Sequence, residues 1–269
     1  MLVSILIPIH NVDIYKINLI KYNLDKIYTQ TYQNFEIVIC DESDNDLIYF
    51  FINLYNNFNK IKYIKSSLKG WSNNHNEGLK HCSGDIIKIL HYDNYFYDNN
   101  SLQNIVDTFN NNEDQYWIVS PYFHENLNER KDDENKLFNL HTPKYTDNII
   151  VGHNFIGDPS CLSFRNKDVI LFDTNLTFMV DCDYYKRLYD LYNLPIILTE
   201  PNIVIVRHKN QTSNFCLEIN NMKERVYMEF KYKNILKIGD DNPYKGDLRD
   251  LYYLEVIKNY QNNLQKYLK

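Results

Sequence analysis

The stretch VSILIPI (3–9) carries no charge and does not alternate polar with apolar side chains. Such a run suits a strand covered on both faces, which is the condition inside a parallel sheet. Similar runs recur as FEIVIC (35–40), IKYIK (61–65), DIIKIL (85–90) and YWIVSP (116–121). The segments between them change period. Ile14, Ile17, Ile20, Leu24 and Ile27 repeat at three and four residues, and 47–58, 73–81 and 102–109 also read as helices. Strand and helix alternate through residue 121, which predicts an α/β fold with a doubly wound, mostly parallel sheet and right-handed crossovers. Ligands of such sheets gather beyond the carboxyl ends of the strands. Asn11, Asp41 and Asp93 all fall there.

The later chain is less regular. Residues 125–144 are polar and charged and read as a long excursion or lid. A strand is expected at 159–164, a helix at 181–192 and a strand at 203–208. From Cys216 the pattern is helical, broken near GDDNPYKGD and resuming over 251–268. No internal repeat or low-complexity linker appears. The expected organisation is a catalytic-type domain over 1–215 with a helical extension over 216–269 packed on it. Residues 222–237 read either as a membrane-surface helix or as a helix with one solvated face, and the second is the simpler account.

A chain of 269 residues can bury a sizeable core. Its net charge of -6 argues against a broad electrostatic grip on nucleic acid. The five cysteines form no C-x-x-C pair, so no zinc knuckle or redox motif is spelled out, and reduced thiols in an intracellular compartment are expected. The N-terminal apolar run is too short to span a membrane and has no basic flank, and no other segment is long and apolar enough. These features predict a soluble cytoplasmic protein, with peripheral membrane contact left open. A dinucleotide-dependent oxidoreductase is disfavoured because no G-x-G-x-x-G follows the first strand.

Several stretches, in order, resemble the family 2 glycosyltransferases. VSILIPIHN is similar to that family's first strand and Pro-x-x-Asn turn, and QTYQNFEIVICDESDND to its second strand and acidic turn. KGWSNNHNEGLKHCSGDIIKILHYDN follows the family's loop, helix, strand and metal-binding segment. IGDPSCLSFR and VDCDYYKRL resemble the acceptor-side and base segments. The resemblance covers residues 3–213 and implies the GT-A fold, a nucleotide-sugar donor (most simply a UDP-sugar), a divalent metal (Mn2+ or Mg2+) and an inverting single displacement. A glycan or other hydroxyl compound is the implied acceptor, and a hexosyl or N-acetylhexosaminyl group the implied cargo.

The same resemblance implies site roles. The family's Asp-x-Asp is here His91-Tyr92-Asp93, so Asp93 keeps the metal-binding carboxylate while His91 takes the place of the first acid. His91 can bond a ribose hydroxyl or bind manganese through a ring nitrogen. His208 is a second metal candidate and Arg207 a diphosphate candidate. Asp41 is expected to accept a hydrogen bond from the base, with Pro8, Ile9 and Asn11 lining that pocket mostly through backbone. Gly70 and Asn76 belong to the loop and helix beside the donor. The family's Arg-Asn is here His75-Asn76, and Lys69 is a candidate to supply the missing charge. Ser72 or Asn73 is expected to cap the helix. Asp158, Pro159 and Ser160 are expected on the acceptor side, Asp158 with an alternative reading as a turn residue.

An inverting transfer needs a carboxylate to take the acceptor's proton. Two residues apart on a helix means roughly opposite faces, so Asp181 and Asp183 cannot both enter one site. The family's acidic pair stands six residues before an Arg, and counting back from Arg187 selects Asp181, with Asp183 as fallback. The competing reading is a non-catalytic sugar-nucleotide or glycan-binding protein on the same scaffold, with His91 marking lost metal binding.

Overall fold

The computed structural model describes residues 1–54, 58–127, 137–208 and 218–233. Its centre is a seven-stranded sheet built on β1 (Val3–Ile9), which pairs in parallel with β2 (Phe35–Asp41) and β4 (Ile86–Ile89). The spatial order from one edge to the other is β10 (Ile196–Ile197), β6 (Trp117–Val119), β9 (Leu162–Arg165), β4, β1, β2 and β3 (Ile61–Lys65). Only β9 runs antiparallel to its neighbours, so the sheet is mostly parallel, as expected. The uniformly apolar β1 splits its side chains by position. Val3, Ile5, Ile7 and Ile9 enter one core, and Leu6 enters the other. Both faces of β1 are buried, which is why no polar alternation shows in its sequence.

Helix α1 (Ile14–Tyr28) covers the first core through Ile20, Leu24 and Ile27. Asp13 caps it by accepting the Lys16 amide at 2.8 Å. Helices α2 (Leu47–Leu54) and α4 (Ser101–Asn111) add Ile48, Ile52, Leu102, Ile105, Val106 and Phe109 to the same core. On the other face lie α3 (Trp71–Leu79), α5 (Val180–Tyr192) and α6 (Glu218–Lys233). Gly78 lets α3 come close to the sheet, because a Cβ there would meet Leu6 Cδ1 at 2.4 Å and Cys40 Cβ at 3.2 Å. That close approach brings the start of α3 to the carboxyl rim of β1 and β2.

A second sheet holds β5 (Tyr95–Phe96), β11 (Ile203–Arg207), β7 (Tyr122–Asn126) and β8 (Leu137–His141) in that order. The expected excursion over 125–144 is therefore partly strand: β7 and β8 pair antiparallel, and 128–136 lie outside the described residues. Half-exposed positions on these strands let them carry polar side chains. β11 pairs antiparallel with β5 through Ile203–Phe96 and Val204–Tyr95. Continued by four residues, this register carries His208 alongside the segment that follows β4.

Several local expectations change. Residues 159–161 form a 3-10 turn (Pro159–Cys161), and the strand begins only at Leu162. Asp158 is the turn's N-cap and accepts the Ser160 amide at 2.7 Å. Helix α3 begins at Trp71, and neither expected residue caps it: Ser72 Oγ donates to the Asp173 and Leu176 carbonyls, and Asn73 to Lys69 O. The two-residue strands β5 and β10 were too short for periodicity to reveal. The four described cysteines are free thiols, and Cys216 lies outside the described residues, as does the expected helix at 251–268. Among the described residues no helix is long and apolar enough to cross a membrane.

Asn94 joins the two sheets and the acceptor-side turn. Its Nδ2 donates to Asp158 Oδ2 at 2.8 Å and Ser160 Oγ at 2.7 Å, while its Oδ1 accepts the Val206 amide at 2.9 Å. Its carbonyl accepts from Asn23 Nδ2 on α1, which also donates to His91 O at 2.9 Å. Asn94→Ala leaves the buried Val206 amide and Asp158 oxygen without these partners. We expect a loss of about 2–4 kcal/mol in urea unfolding, whereas a surface change such as Asn112→Ala should shift the midpoint little.

Candidate active site

β1 and β4 are neighbours, and the next strand of the sheet lies beyond β1 on one side (β2) and beyond β4 on the other (β6), so the strand order reverses between them and a crevice opens beyond their carboxyl ends. A cavity of about 280 Å³ occupies that place. Its floor comes from Pro8 near the end of β1 and from residues after β1 and β4: His10, His91, Tyr92 and Asp93. Trp71, Asn74 and His75 of α3, with Glu42 after β2, form one wall. Gly152, Asn154, Asp158 and Pro159 and the start of α5 from Thr177 to Cys182 form the rest.

Asp93 and His208 meet at the cavity floor, with Asp93 Oδ2 and His208 Nε2 2.9 Å apart. His208 is buried at 2% exposure, and Asp93 is partly exposed to the cavity. This spacing tests an implied cation. Two cis ligands of a six-coordinate metal with bonds near 2.1 Å sit about 3 Å apart. One carboxylate oxygen and one imidazole nitrogen thus already span such an edge, and the pair fits. Among the described residues no group of three or more His, Cys, Asp or Glu side chains gathers to hold a metal, so the remaining ligands would come from the donor's oxygens and water.

Asp181 is the second residue of α5 and lines the cavity. Burial pushes its carboxyl up to about 6, although the Cys182 amide and Asn154 Nδ2, each donating to it, act the other way. The nearby Asp158 adds to the rise. A carboxylate at that value is ionised at neutral pH yet basic enough to accept a proton. Asp183 points elsewhere. It is fully buried and pairs with Arg187 at 2.8 Å and Lys231 at 2.6 Å, and it accepts from Tyr232 Oη. The fallback is thereby corrected: Asp183 helps to anchor α6, and opposite helix faces separate the two acids.

α6 also supports the start of α5. The Glu224 carboxylate accepts from the amides of Thr177, Phe178 and Met179 at 3.0, 2.8 and 2.7 Å. These amides precede α5, where the helix dipole favours negative charge. The segment that leads into Asp181 is therefore held by a residue of α6.

His10 lines the cavity and is kept neutral at pH 7. Burial and then Lys16 lower it to about 4, against the opposing pull of Asp93. Glu42 is raised by burial, and its Oε2 accepts the Gly70 amide at 2.5 Å.

Other expected site residues lie outside the cavity, for identifiable reasons. Asp41 is fully buried beneath its own turn, accepting from the Ser43 amide at 2.8 Å and Tyr63 Oη at 3.0 Å, with Lys65 Nζ 3.5 Å away. The neighbouring Glu42 faces the cavity in its place. Ile9 is buried, and its carbonyl accepts from the Glu42 amide and Asn74 Nδ2. Asn11 is exposed in a left-handed turn with φ 47°. Lys69 bonds the Glu42 carbonyl and pairs with Asp44 at 2.6 Å, so its charge neutralises the acidic turn and not the cavity.

Gly70 is the N-cap of α3, and Asn76 spends its amide on both backbone groups of Phe172. Arg207 is exposed on β11 with Nη2 2.8 Å from His124 Nε2. Ser160 lies beneath the lining, where its hydroxyl accepts from the His91 amide and Asn94. Pro8, His91, Tyr92, Asp93, Asp158, Pro159 and Asp181 come together as expected residues of one cavity. Sequence reasoning missed Glu42, His10, Asn74, Asn154 and Glu224. The first two stand beside motif residues, but nothing in the local sequence marks Glu224, whose partners lie 45 to 47 positions away.

Similar folds and sequences were found among known proteins. The N-terminal region of S. aureus TarS, solved in complex with UDP-GlcNAc, superposes with a TM-score of 0.61 at 14% identity, covering 96% of this chain and 72% of that one. A mannosyltransferase from Pyrobaculum calidifontis, solved with GDP-Man and Mn2+, gives 0.58 at 15% identity, covering 94% and 68%. At such identities the likeness concerns the fold, which is of the GT-A type. Among curated proteins, the glycosyltransferase GlyA of Streptococcus pneumoniae is 29% identical over 94 residues, 35% of this chain and 13% of that protein. An uncharacterized glycosyltransferase of Rickettsia bellii is 28% identical over 97 residues, 36% of this chain and 14% of that protein. The aligned part is thus about one-seventh of these relatives' length. The profile of glycosyl transferase family 2 matches residues 4–171, more than half of the sequence, and the chain belongs to that family.

Proposed function

We propose that this protein is an inverting glycosyltransferase that moves a sugar, of the hexosyl or N-acetylhexosaminyl class, from a nucleotide-sugar donor to a hydroxyl acceptor. A UDP-sugar is the donor we favour, in keeping with the UDP-GlcNAc complex of TarS. The observation that carries the reading is the sharing of one rim cavity by Asp93, beside His208, and Asp181, a carboxyl raised to about 6.

In this reading Asp93 and His208 would hold a divalent cation, Mn2+ or Mg2+, which would supply positive charge to offset that on the diphosphate leaving group. Asp181 accepts the proton of the acceptor hydroxyl. The hydroxyl oxygen bonds to the anomeric carbon as the bond to the diphosphate breaks, and the nucleoside diphosphate leaves with that electron pair. Asn154 orients Asp181 through its 2.7 Å hydrogen bond, and Asp158 and Pro159 shape the acceptor side. Neutral His10 adds no positive charge beside the cation. The extension from residue 216 is read as a support for the base, through Glu224.

Two measurements test these roles. Asp93→Ala and His208→Ala should each abolish Mn2+-dependent UDP binding in calorimetry; undiminished binding in either would remove that residue from the site. Asp181→Asn should retain donor binding and lose transfer by about 10³-fold or more. The wild-type rate should fall as pH drops through about 6, because the base must be ionised. Stability should move the other way. The folded value lies above the ordinary value, so the stability that Asp181 contributes is full below about pH 4 and is lost as pH rises through about 6. Asp181→Asn should abolish that decline, of up to about 2–3 kcal/mol. A pH-rate profile with no step near 6, or equal pH dependence of Tm in both proteins, would count against Asp181.

A further inference from the structure

His75 is a buried side chain that the mechanism above does not use. It lies at 2% exposure on α3, stacked on Trp71 with ring centroids 3.5 Å apart and 20° between planes, and packed edge-on to Phe172. Both of its nitrogens have partners. Nδ1 is 2.8 Å from the Trp71 carbonyl oxygen, and Nε2 is 3.2 Å from His91 Nε2. A carbonyl oxygen only accepts, so His75 Nδ1 carries the hydrogen. In the neutral ring Nε2 is then a lone pair. The contact between the two imidazoles needs one hydrogen, and it must come from His91. A neutral His91 that donates from Nε2 has its lone pair at Nδ1.

Given the proposed function, we propose that His75 is a positioning residue that locks His91 as the Nε2–H tautomer, so that His91 offers an uncharged acceptor nitrogen, Nδ1, to the bound donor. The chain Trp71 carbonyl, His75, His91 runs from the helix backbone to the cavity wall and has one direction throughout. The partner of Nδ1 is an electropositive group: a sugar hydroxyl of the nucleotide or the divalent cation beside Asp93. Because that acceptor is neutral, it adds no negative charge beside a diphosphate, unlike a carboxylate in the same place. Burial, followed by the neighbouring His91, holds the His75 imidazole well below its ordinary value, in keeping with a neutral link.

Long-range 1H–15N correlation spectra of the 15N-labelled protein distinguish the tautomers directly. Expected are an Nδ1–H signature for His75 and an Nε2–H signature for His91 in the ligand-free wild type. Observation of His91 as Nδ1–H would overturn the proposal. His75→Leu removes the acceptor, whereas His75→Gln keeps an oxygen near the reach of Nε2. In His75→Leu we expect mixed His91 tautomers and about tenfold weaker UDP binding, with the wild-type pattern largely restored in His75→Gln. Loss of UDP affinity both in EDTA and in Mn2+ assigns a nucleotide hydroxyl as the partner of Nδ1. Loss confined to Mn2+ assigns the cation.

Equal weakening in the Gln and Leu variants would indicate packing alone and overturn the proposal, as would unchanged affinity in both. Should His75→Leu fail to fold, the wild-type spectrum and the Gln variant still decide. A wild type that binds no nucleotide would sink the proposed function, while the spectra judge the tautomer independently.

Discussion

The cavity depends on the hydrogen bonds of one buried amide, Asn94. It follows the cation-binding candidate directly in sequence, and it hydrogen-bonds three separate parts of the chain: α1, the 158–160 turn and β11. Each side-chain group of Asn94 is paired, so any other side chain would leave buried partners unsatisfied. Its hold on Val206 fixes β11 against β5. That register in turn delivers His208 to Asp93, across 115 positions of sequence. The meeting of one carboxylate and one imidazole at this place is thus a product of strand register.

The opposite pressure acts on Asp181. A carboxyl placed in a largely buried wall resists ionisation, and its rise to about 6 is the sign of that cost. The Asn154 and Cys182 donors offset part of it, and leave a carboxyl at about 6. Glu224 stabilises the segment just before Asp181 by satisfying three amides at once, and Met228 of the same helix is fully buried in the second core. α6 therefore shares in shaping the cavity wall. Asp183, two positions on, meets the same low-polarity interior with a different solution, an ion-pair cluster with Arg187 and Lys231.

Much of this was legible before any coordinates. Continuous apolar runs marked β1, β2 and β4, because strands buried on both faces need apolar residues at every position. The three-and-four spacing marked α1. The angular separation of neighbours on a helix said that Asp181 and Asp183 could not share one site, and the resemblance, counted back from Arg187, favoured Asp181. The structure added local partners that the motifs did not disclose. Asp41, Lys69 and Asn76 look like ligand-binding residues in a motif, yet each is occupied by a turn, an ion pair or a backbone bridge. The polar 125–144 stretch concealed two paired strands, since half-exposed strands tolerate the same side chains as loops.

The sequence by itself determined the layered α/β architecture and the carboxyl rim where polar residues gather, which follow from periodicity and strand polarity, both local properties. The acids expected there, Asp93, Asp158 and Asp181, came from motifs that resemble those of family 2. Only the tertiary structure decided which polar groups face the cavity, which are spent on each other, and how burial alters their proton affinity. Those outcomes depend on desolvation and on partners far away in the chain, and neither is encoded within the span of any single motif.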